Sequence, residues 1–99
     1  MSPVAVCQVG VAAIVRLQKV SNLFGQRLRE IRESRDLTQD VVAQRAGLRQ
    51  NHLSDIERGV KLPTLITLMR LAAALECNVA DLVAVFDEHG AGALLRAMK

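Results

Sequence analysis

The chain has 99 residues and a formal net charge of +3, and 51% of its residues are hydrophobic. This length supports one domain with a modest core and leaves little room for a separate catalytic unit. Because only 2% of the residues are aromatic, the core must consist of aliphatic side chains packed between helices, and a stacking platform for single-stranded nucleic acid is disfavoured.

The basic residues are concentrated in one part of the chain. Between residues 22 and 62, eight basic residues are balanced against six acidic ones, whereas the chain from Pro63 onward is close to neutral or slightly acidic. A net charge of +3 does not by itself identify a binding partner such as a nucleic acid. Its distribution predicts that the more basic part of the chain is the part that meets DNA.

The first 21 residues form an apolar stretch that includes Val4 and Val15 and is interrupted at Gln8 and Gly10. We expect neither a membrane span nor a secretion signal, because the stretch is too short to cross a bilayer and no basic residue precedes its apolar part. Two interpretations remain open. The stretch is either an ordinary extension, packed on the domain or translated from a misplaced start codon, or a β-branched arm that pairs with its copy in a dimer.

A first helix is predicted over residues 22–34. Its apolar residues, including Leu28 and Ile31, recur at spacings of three and four, whereas arginine and glutamate occupy the other face. Ser21 or Asn22 is expected to cap this helix, since short polar side chains accept hydrogen bonds from the free N–H groups of a first turn.

Two short, steeply crossing helices are predicted next. Thr38 caps the first of them, and Gly47 ends it, because a residue without a β-carbon can turn the chain in the left-handed conformation. The second covers roughly residues 49–58, and Gly59 stops it. The apolar residues that the two helices share are Val42, Ala43, Ala46, Leu48, Leu53 and Ile56. This pattern predicts a helix-turn-helix, with a polar outer face on the second helix that suits a DNA major groove.

Two further helices are predicted in the second half of the chain. Thr64 caps a fourth helix over residues 65–75, and Asn78, with Asp81 reaching back to it, opens a fifth helix that ends at Phe86. The chain therefore divides into an apolar extension, a domain and a tail with a short terminal helix, at residues 1–21, 22–86 and 87–99.

Several sequence motifs occur together in one register. They are Leu28-Arg29-Glu30-Ile31-Arg32, Leu37-Thr38-Gln39, Ala46-Gly47-Leu48, Leu53-Ser54-Asp55-Ile56-Glu57-Arg58-Gly59 and Pro63-Thr64-Leu65. With these motifs the chain resembles the XRE family of helix-turn-helix domains, the lambda-repressor and Cro type. The resemblance implies an all-α fold of five helices, with the helix-turn-helix at helices 2 and 3. It also implies sequence-specific binding of double-stranded operator DNA, usually as a homodimer.

The resemblance also implies roles for particular residues. The residues expected to contact bases are Arg49, Gln50, Asn51, Ser54 and Asp55. Those expected to contact phosphates are Thr38, Gln39, Arg49, Arg58 and Lys61. The amide side chains can grip adenine with two hydrogen bonds, and the dipole of the second helix adds attraction for an anion near its start. Arg32 and Glu57 match a structural pair that ties the first helix to the third.

The sequence departs from the family pattern at a few positions. Arg49 stands where serine or threonine is common, so the third helix is expected to lack a side-chain cap. Val41 stands where glutamate is common, and Asp36 and Glu76 occupy places where glycine is common. None of these departures is expected to break the fold.

The dimer surface is predicted on the last helix and the tail. Its residues are Val79, Leu82, Val83, Phe86, Leu94 and Leu95. We expect no catalytic site and no cofactor, because no nucleophile has a positioned base and no glycine-rich phosphate loop occurs. Cys7 and Cys77 have no neighbours at metal-ligand spacing. Both are therefore interpreted as free thiols in a reducing cytoplasm, with no metal bound and Cys77 buried.

Two functions from different classes are compatible with the sequence. The first is a transcriptional regulator, a repressor or autoregulator, that binds an inverted-repeat operator as a dimer. A restriction-modification controller is a variant of it. The second is an antitoxin-like module that neutralises a partner enzyme and contacts it through the apolar terminal segments.

Overall fold

The computed structural model describes the backbone of residues 3–90 and 92–93, and side chains from residue 18 onward. These residues contain five α-helices and no strand. The helices are α1 (Pro3–Ser34), α2 (Gln39–Ala46), α3 (Gln50–Glu57), α4 (Leu65–Leu75) and α5 (Val79–Glu88). The predicted all-α fold of five helices is therefore confirmed.

Helix α1 begins much earlier than predicted. It is a single helix of 32 residues that starts at Pro3, not at Asn22. Neither Ser21 nor Asn22 caps a helix, because both lie inside one. The physical reason is that no proline lies between residues 4 and 34, and Pro3 itself stands in the first turn, where proline is tolerated. A single glycine inside a helix costs only about 1 kcal/mol. The pairing of the β-branched residues of the extension with a second copy stays a prediction.

The core lies where the five helices meet. Each helix contributes a fully buried aliphatic side chain, namely Leu28, Val42, Leu53, Leu71 and Leu82 in chain order. Burying one such side chain fully stabilises a fold by about 1.5–3 kcal/mol. The two aromatic rings of the chain, Phe24 and Phe86, stack with their centroids 6.5 Å apart and so join α1 to α5.

The predicted caps and turns of α2 and α3 are confirmed. The Thr38 hydroxyl accepts a hydrogen bond from the Val41 N–H at 3.2 Å. Gly47 has a φ of 70° and Gly59 a φ of 79°, both in the left-handed region that favours glycine. Asp36 takes the same conformation with a φ of 54°, as expected for a residue that tolerates it better than most.

Helices α4 and α5 also begin as predicted. The Thr64 hydroxyl accepts from the Thr67 N–H at 3.2 Å, and the Asp81 carboxylate accepts from the Asn78 N–H at 2.9 Å. Helix α5 continues to Glu88, two residues beyond the end predicted at Phe86. None of the described helices is both long and apolar enough to cross a membrane.

Candidate nucleic-acid interface

Helix α3 presents one buried face and one polar, solvent-facing side. Leu53 and Ile56 are fully buried and Glu57 is nearly so, because they lie on the side that packs against α1 and α2. The predicted base-contacting residues lie elsewhere on the helix. Arg49, Gln50 and Asn51 are exposed, whereas Ser54 and Asp55 are partly exposed. The structure therefore brings these five residues together on the solvent-accessible side of α3 and at its start.

The turn between α2 and α3 sets the direction of α3. Gly47 closes α2 in the left-handed conformation, and the Leu48 N–H donates to the Ala43 carbonyl at 2.8 Å. Arg49 then takes an extended conformation and makes no side-chain cap bond to α3. The missing cap agrees with the expectation for this position. It leaves the first backbone N–H groups of α3 without a side-chain acceptor.

A buried ion pair holds α3 against α1. Arg32 contacts both carboxylate oxygens of Glu57, with Nε 2.8 Å from Oε2 and Nη2 3.0 Å from Oε1. Only 12% of the Arg32 side chain and 3% of the Glu57 side chain are exposed. Arg32 Nη1 also donates to the Leu37 carbonyl at 2.8 Å. The pair therefore links α1, the turn before α2 and the last residue of α3.

Gln39 belongs to the same buried network. Its Nε2 donates to Glu57 Oε1 at 3.1 Å, so one carboxylate accepts hydrogen bonds from both α1 and α2. The sequence assigned Gln39 to a phosphate contact. Because a side-chain amide carries two N–H donors, the contact with Glu57 uses one and holds the group in place.

Gly25 is a structural residue that the sequence analysis missed. A β-carbon at this position would lie 2.5 Å from the backbone oxygens of both Ile56 and Glu57. No larger residue fits there without a backbone shift, so α1 approaches the last turn of α3 more closely than a side chain would allow. A glycine inside a strongly helical segment was the available signal, since such a glycine often has a packing reason.

The end of α3 is also held by residues that the sequence prediction assigned to the extension or to its border. Gln18 Nε2 donates to the Gly59 carbonyl at 2.8 Å and to Asn22 Oδ1 at 2.9 Å. The amide of Gln18 thus bridges α1 and the turn that follows α3. A local pattern could not indicate this contact, because 41 residues separate the two partners.

Four arginines, three in the second half of α1 and one directly after it, are bound to groups of the protein itself. Arg27 Nε donates to the Asp81 carbonyl at 3.0 Å, and Arg35 Nε donates to the Leu75 carbonyl. Arg32 is bound to Glu57, and the exposed Arg29 pairs with Glu33. Each of these guanidinium groups has a partner inside the protein. The positive groups near the outer face of α3 are instead Arg49, Arg58 and Lys61.

Asp55 is engaged by two of those cations. Its Oδ1 pairs with Arg58 Nη2, and its Oδ2 lies 3.6 Å from Lys61 Nζ. The sequence placed Asp55 among the base-reading residues and the two cations among the phosphate contacts. The structure makes the three groups a single surface ion cluster in which one carboxylate offsets part of the positive charge.

The predicted dimer surface is mostly turned inward. Leu82 is fully buried in the core of its own chain, so its assignment to a dimer contact is wrong. Val79, Val83 and Phe86 are partly buried and pack against the same core. Leu94 and Leu95 lie outside the described residues.

Cys77 is partly buried against the core, less completely than predicted. Burial raises the pKa of its thiol above the ordinary value, because the thiolate is less stable away from water. The side chain of Cys7 lies outside the described part of the chain.

Two short helices that cross at a glycine corner, with a polar outer face on the second, define a DNA-binding helix-turn-helix protein. Comparison with known sequences agrees with this class. The profile of the helix-turn-helix family HTH_3 matches residues 28–82, from the last two turns of α1 into α5. The chain belongs to this family.

Individual relatives point in the same direction. The chain is 42% identical over 66 residues to the uncharacterized HTH-type transcriptional regulator y4dJ of Sinorhizobium fredii, a match that covers 67% of this chain and 86% of that protein. It is 44% identical over 59 residues to the immunity repressor protein of Bacillus phage phi105, covering 60% of this chain but only 41% of the repressor.

A solved structure also matches. The restriction-modification controller protein C.AhdI from Aeromonas hydrophila superposes with a TM-score of 0.64 at 34% sequence identity. The match covers 65% of this chain and 97% of the controller. Nearly the whole controller therefore corresponds to the helical domain described above.

Proposed function

We propose that the protein is a transcriptional repressor or autoregulator that binds, as a homodimer, an operator with two inverted half-sites. The observation that carries this proposal is the exposure of the α3 amides Gln50 and Asn51 on a helix that a buried ion pair holds in place. A preorganised helix can insert into a major groove without losing its own packing.

In this proposal the polar residues of α3 read base edges. Gln50 and Asn51 bind adenine through N6 and N7, and Arg49 binds guanine or an adjacent phosphate. Ser54 lies one turn further along and reaches the groove edge. Asp55 contributes less to base reading, because its carboxylate is occupied by Arg58 and Lys61.

Phosphate contacts come from the rim of the same surface. Thr38 and Gln39 lie at the start of α2, where the helix dipole attracts an anion. Arg58 and Lys61 are exposed beyond the end of α3. Contacts at both ends of the helix-turn-helix would fix its position along the duplex, since phosphate contacts position a protein and base contacts specify the sequence.

A restriction-modification controller is a second candidate within the same mechanism. The match to C.AhdI favours it, because that controller is covered almost completely by this domain. Both candidates require the same DNA contacts and differ only in the genes that are regulated.

Selection of bound sequences from a random duplex pool tests the proposal. We expect enrichment of an inverted repeat whose half-site centres are about 34 Å apart, one helical turn of DNA. Binding should weaken as salt rises, with log K falling by about 0.9 per log unit of salt for each phosphate neutralised. Absence of binding to any duplex at low salt would overturn the proposal and favour a protein-binding module.

A further inference from the structure

A small ion cluster lies at the end of α3, on the surface that meets DNA in the proposed function. It consists of Asp55, Arg58 and Lys61, and we call it the α3 cluster. Both oxygens of its carboxylate are engaged, since Oδ1 of Asp55 pairs with Arg58 Nη2 and Oδ2 lies 3.6 Å from Lys61 Nζ. With two cations and one carboxylate, the cluster keeps a formal charge of +1.

The backbone turn after α3 fixes the position of the α3 cluster. The N–H groups of Val60 and Lys61 both donate to the Asp55 carbonyl, at 2.8 and 3.3 Å. The turn is held from the other side by Gln18, whose Nε2 donates to the Gly59 carbonyl at 2.8 Å. Lys61 therefore meets Asp55 twice, once through its backbone and once through its ammonium group.

The three side chains of the cluster differ in their freedom to move. The side chains of Arg58 and Lys61 are 64% and 57% exposed, whereas that of Asp55 is only 23% exposed. Arginine and lysine carry their charges on long, flexible stems. They can exchange the carboxylate for a phosphate without any backbone movement. The short aspartate side chain cannot follow them, so DNA docking leaves its carboxylate on α3 in need of a new partner.

The position of Asp55 on α3 determines which part of the groove it meets. Asp55 lies four residues after the exposed Asn51, so the two side chains are neighbours on one side of the helix, about 6 Å apart along its axis. Successive base pairs are about 3.4 Å apart. Asp55 therefore faces a base about one or two steps from the base that Asn51 meets.

The chemistry of a carboxylate restricts the base that it can meet. An ionised carboxylate only accepts hydrogen bonds. In the major groove guanine and thymine present acceptors, and adenine presents a donor beside an acceptor, whereas cytosine presents its N4 amino group alone. A carboxylate that is held against an acceptor loses its contact with water and gains no bond, which is costly.

We propose that Asp55 is a specificity-determining residue that selects cytosine about one or two base pairs from the adenine read by Asn51. This inference rests on the proposed function and specifies part of the operator. Asp55 adds little net affinity, because its bond to cytosine replaces the ion pairs that it gives up. It acts by rejection: at any other base the carboxylate either stays unpaired or keeps Arg58 and Lys61 from the phosphates. Specificity is a difference of affinities, and here the difference comes from a penalty on other sequences.

Three variants of the full-length chain test this inference. Asp55→Asn replaces the carboxylate with an amide, which binds adenine through two hydrogen bonds. Asp55→Ala removes the polar group altogether. Asp87→Asn is the matched control, because it removes the same charge from an exposed position in the last turn of α5. All three should fold, since exposed ion pairs contribute little to stability, and circular dichroism checks this.

Selection from a random duplex pool with each variant gives the main measurement. We expect the wild type and Asp87→Asn to select cytosine at one half-site position close to the adenine. Asp55→Asn should select adenine at that same position, and Asp55→Ala should show no preference there, while the other positions stay unchanged. A wild type that selects no cytosine near the adenine, or Asp55 variants that select the same base as the wild type, would overturn the inference.

Titration of the selected operator and of random DNA gives a second measurement. For Asp55→Ala the ratio of the two affinities should fall roughly 5- to 10-fold, the size of a weak base-pair mismatch. Tighter binding to random DNA should account for part of this fall, because Arg58 and Lys61 are released. Asp87→Asn should leave the ratio unchanged. An equal change on both duplexes for Asp55→Ala would contradict the inference, since net charge alone would explain it.

The results separate this inference from the proposed function. A wild type that binds no duplex at low salt removes both. A wild type that selects an inverted repeat, together with Asp55 variants that select the same repeat, removes only the role of Asp55 and leaves the regulator intact.

Discussion

The outer sides of α3 and α4 are both exposed, both follow a sharp turn, and differ in chemistry. Helix α3 presents amide, hydroxyl and charged groups, whereas α4 presents leucine, isoleucine and methionine. Polar groups on a fixed helix can distinguish base edges, and apolar groups gain most from contact with another apolar surface. The comparison teaches that two consecutive helices of one small domain can present surfaces of opposite chemistry to solvent.

The positions of the two helices are maintained differently. Helix α3 has eight residues and depends on the Glu57 pair and on close contact with Gly25. Helix α4 has eleven residues and depends on a row of buried aliphatic side chains. Loss of the ion pair should therefore affect α3 more than α4.

The largest effect is expected for Glu57→Ala. The change removes the partner of a buried guanidinium and should lower the free energy of unfolding by about 3–5 kcal/mol. Urea denaturation followed by circular dichroism measures it. Glu33→Ala is the control, because this exposed carboxylate pairs with Arg29 at 2.6 Å and lies only at 3.9 Å from Arg32, so its loss should change stability by less than about 1 kcal/mol. A small effect of Glu57→Ala would mean that apolar packing alone holds α3.

Gly25→Ala should also destabilise the domain, although alanine is the better helix former. The added β-carbon would meet two backbone oxygens of α3, and overpacking of this kind costs about 1–3 kcal/mol. Gly92→Ala is a matched control, since a β-carbon there meets nothing within 4 Å. Thermal unfolding of both variants gives the comparison, and equal melting temperatures would contradict the close approach of α1 to α3.

Gln50→Ala tests whether the outer side of α3 reads bases. We expect a loss of roughly 1–3 kcal/mol in binding to the selected operator and little change on random DNA. Lys61→Ala should weaken both by about the same factor and reduce the salt slope by about 0.9. Titration of both duplexes at several salt concentrations provides the data. Equal losses on both duplexes for Gln50→Ala would refute its base-reading role.

The smallest effect is expected for Asp55→Asn. The change releases Arg58 and Lys61 from their carboxylate, so binding to random DNA should strengthen and its salt slope should steepen by at most about 1. Stability should change by less than about 1 kcal/mol, because Arg58 and Lys61 are largely exposed. Weaker binding to random DNA would instead indicate that Asp55 is needed to orient the two cations.

Local features of the fold were predictable because they depend on residues three or four positions apart. The caps at Thr38 and Thr64, the glycine corner at Gly47 and the bounds of α2 and α4 followed from such spacings. The exposure of Gln50 and Asn51 followed from the same periodicity, because the apolar positions of α3 define its buried side.

Other features depended on distant parts of the chain. The fit of Gly25 against α3 and the bond from Gln18 to Gly59 could not be derived from a local pattern. The same holds for Asp55. Its residue type suits base reading, but its carboxylate pairs with the side chains of Arg58 and Lys61.

By itself, the sequence determined that this chain forms five helices around an aliphatic core, with a helix-turn-helix at α2 and α3, because periodicity and capping are local. Only the tertiary structure decided which arginines bind groups of the protein itself, which carboxylate holds α3 in place and which apolar residues remain exposed. Those outcomes depend on how whole helices pack, since packing determines which groups are removed from water and which remain available to a partner.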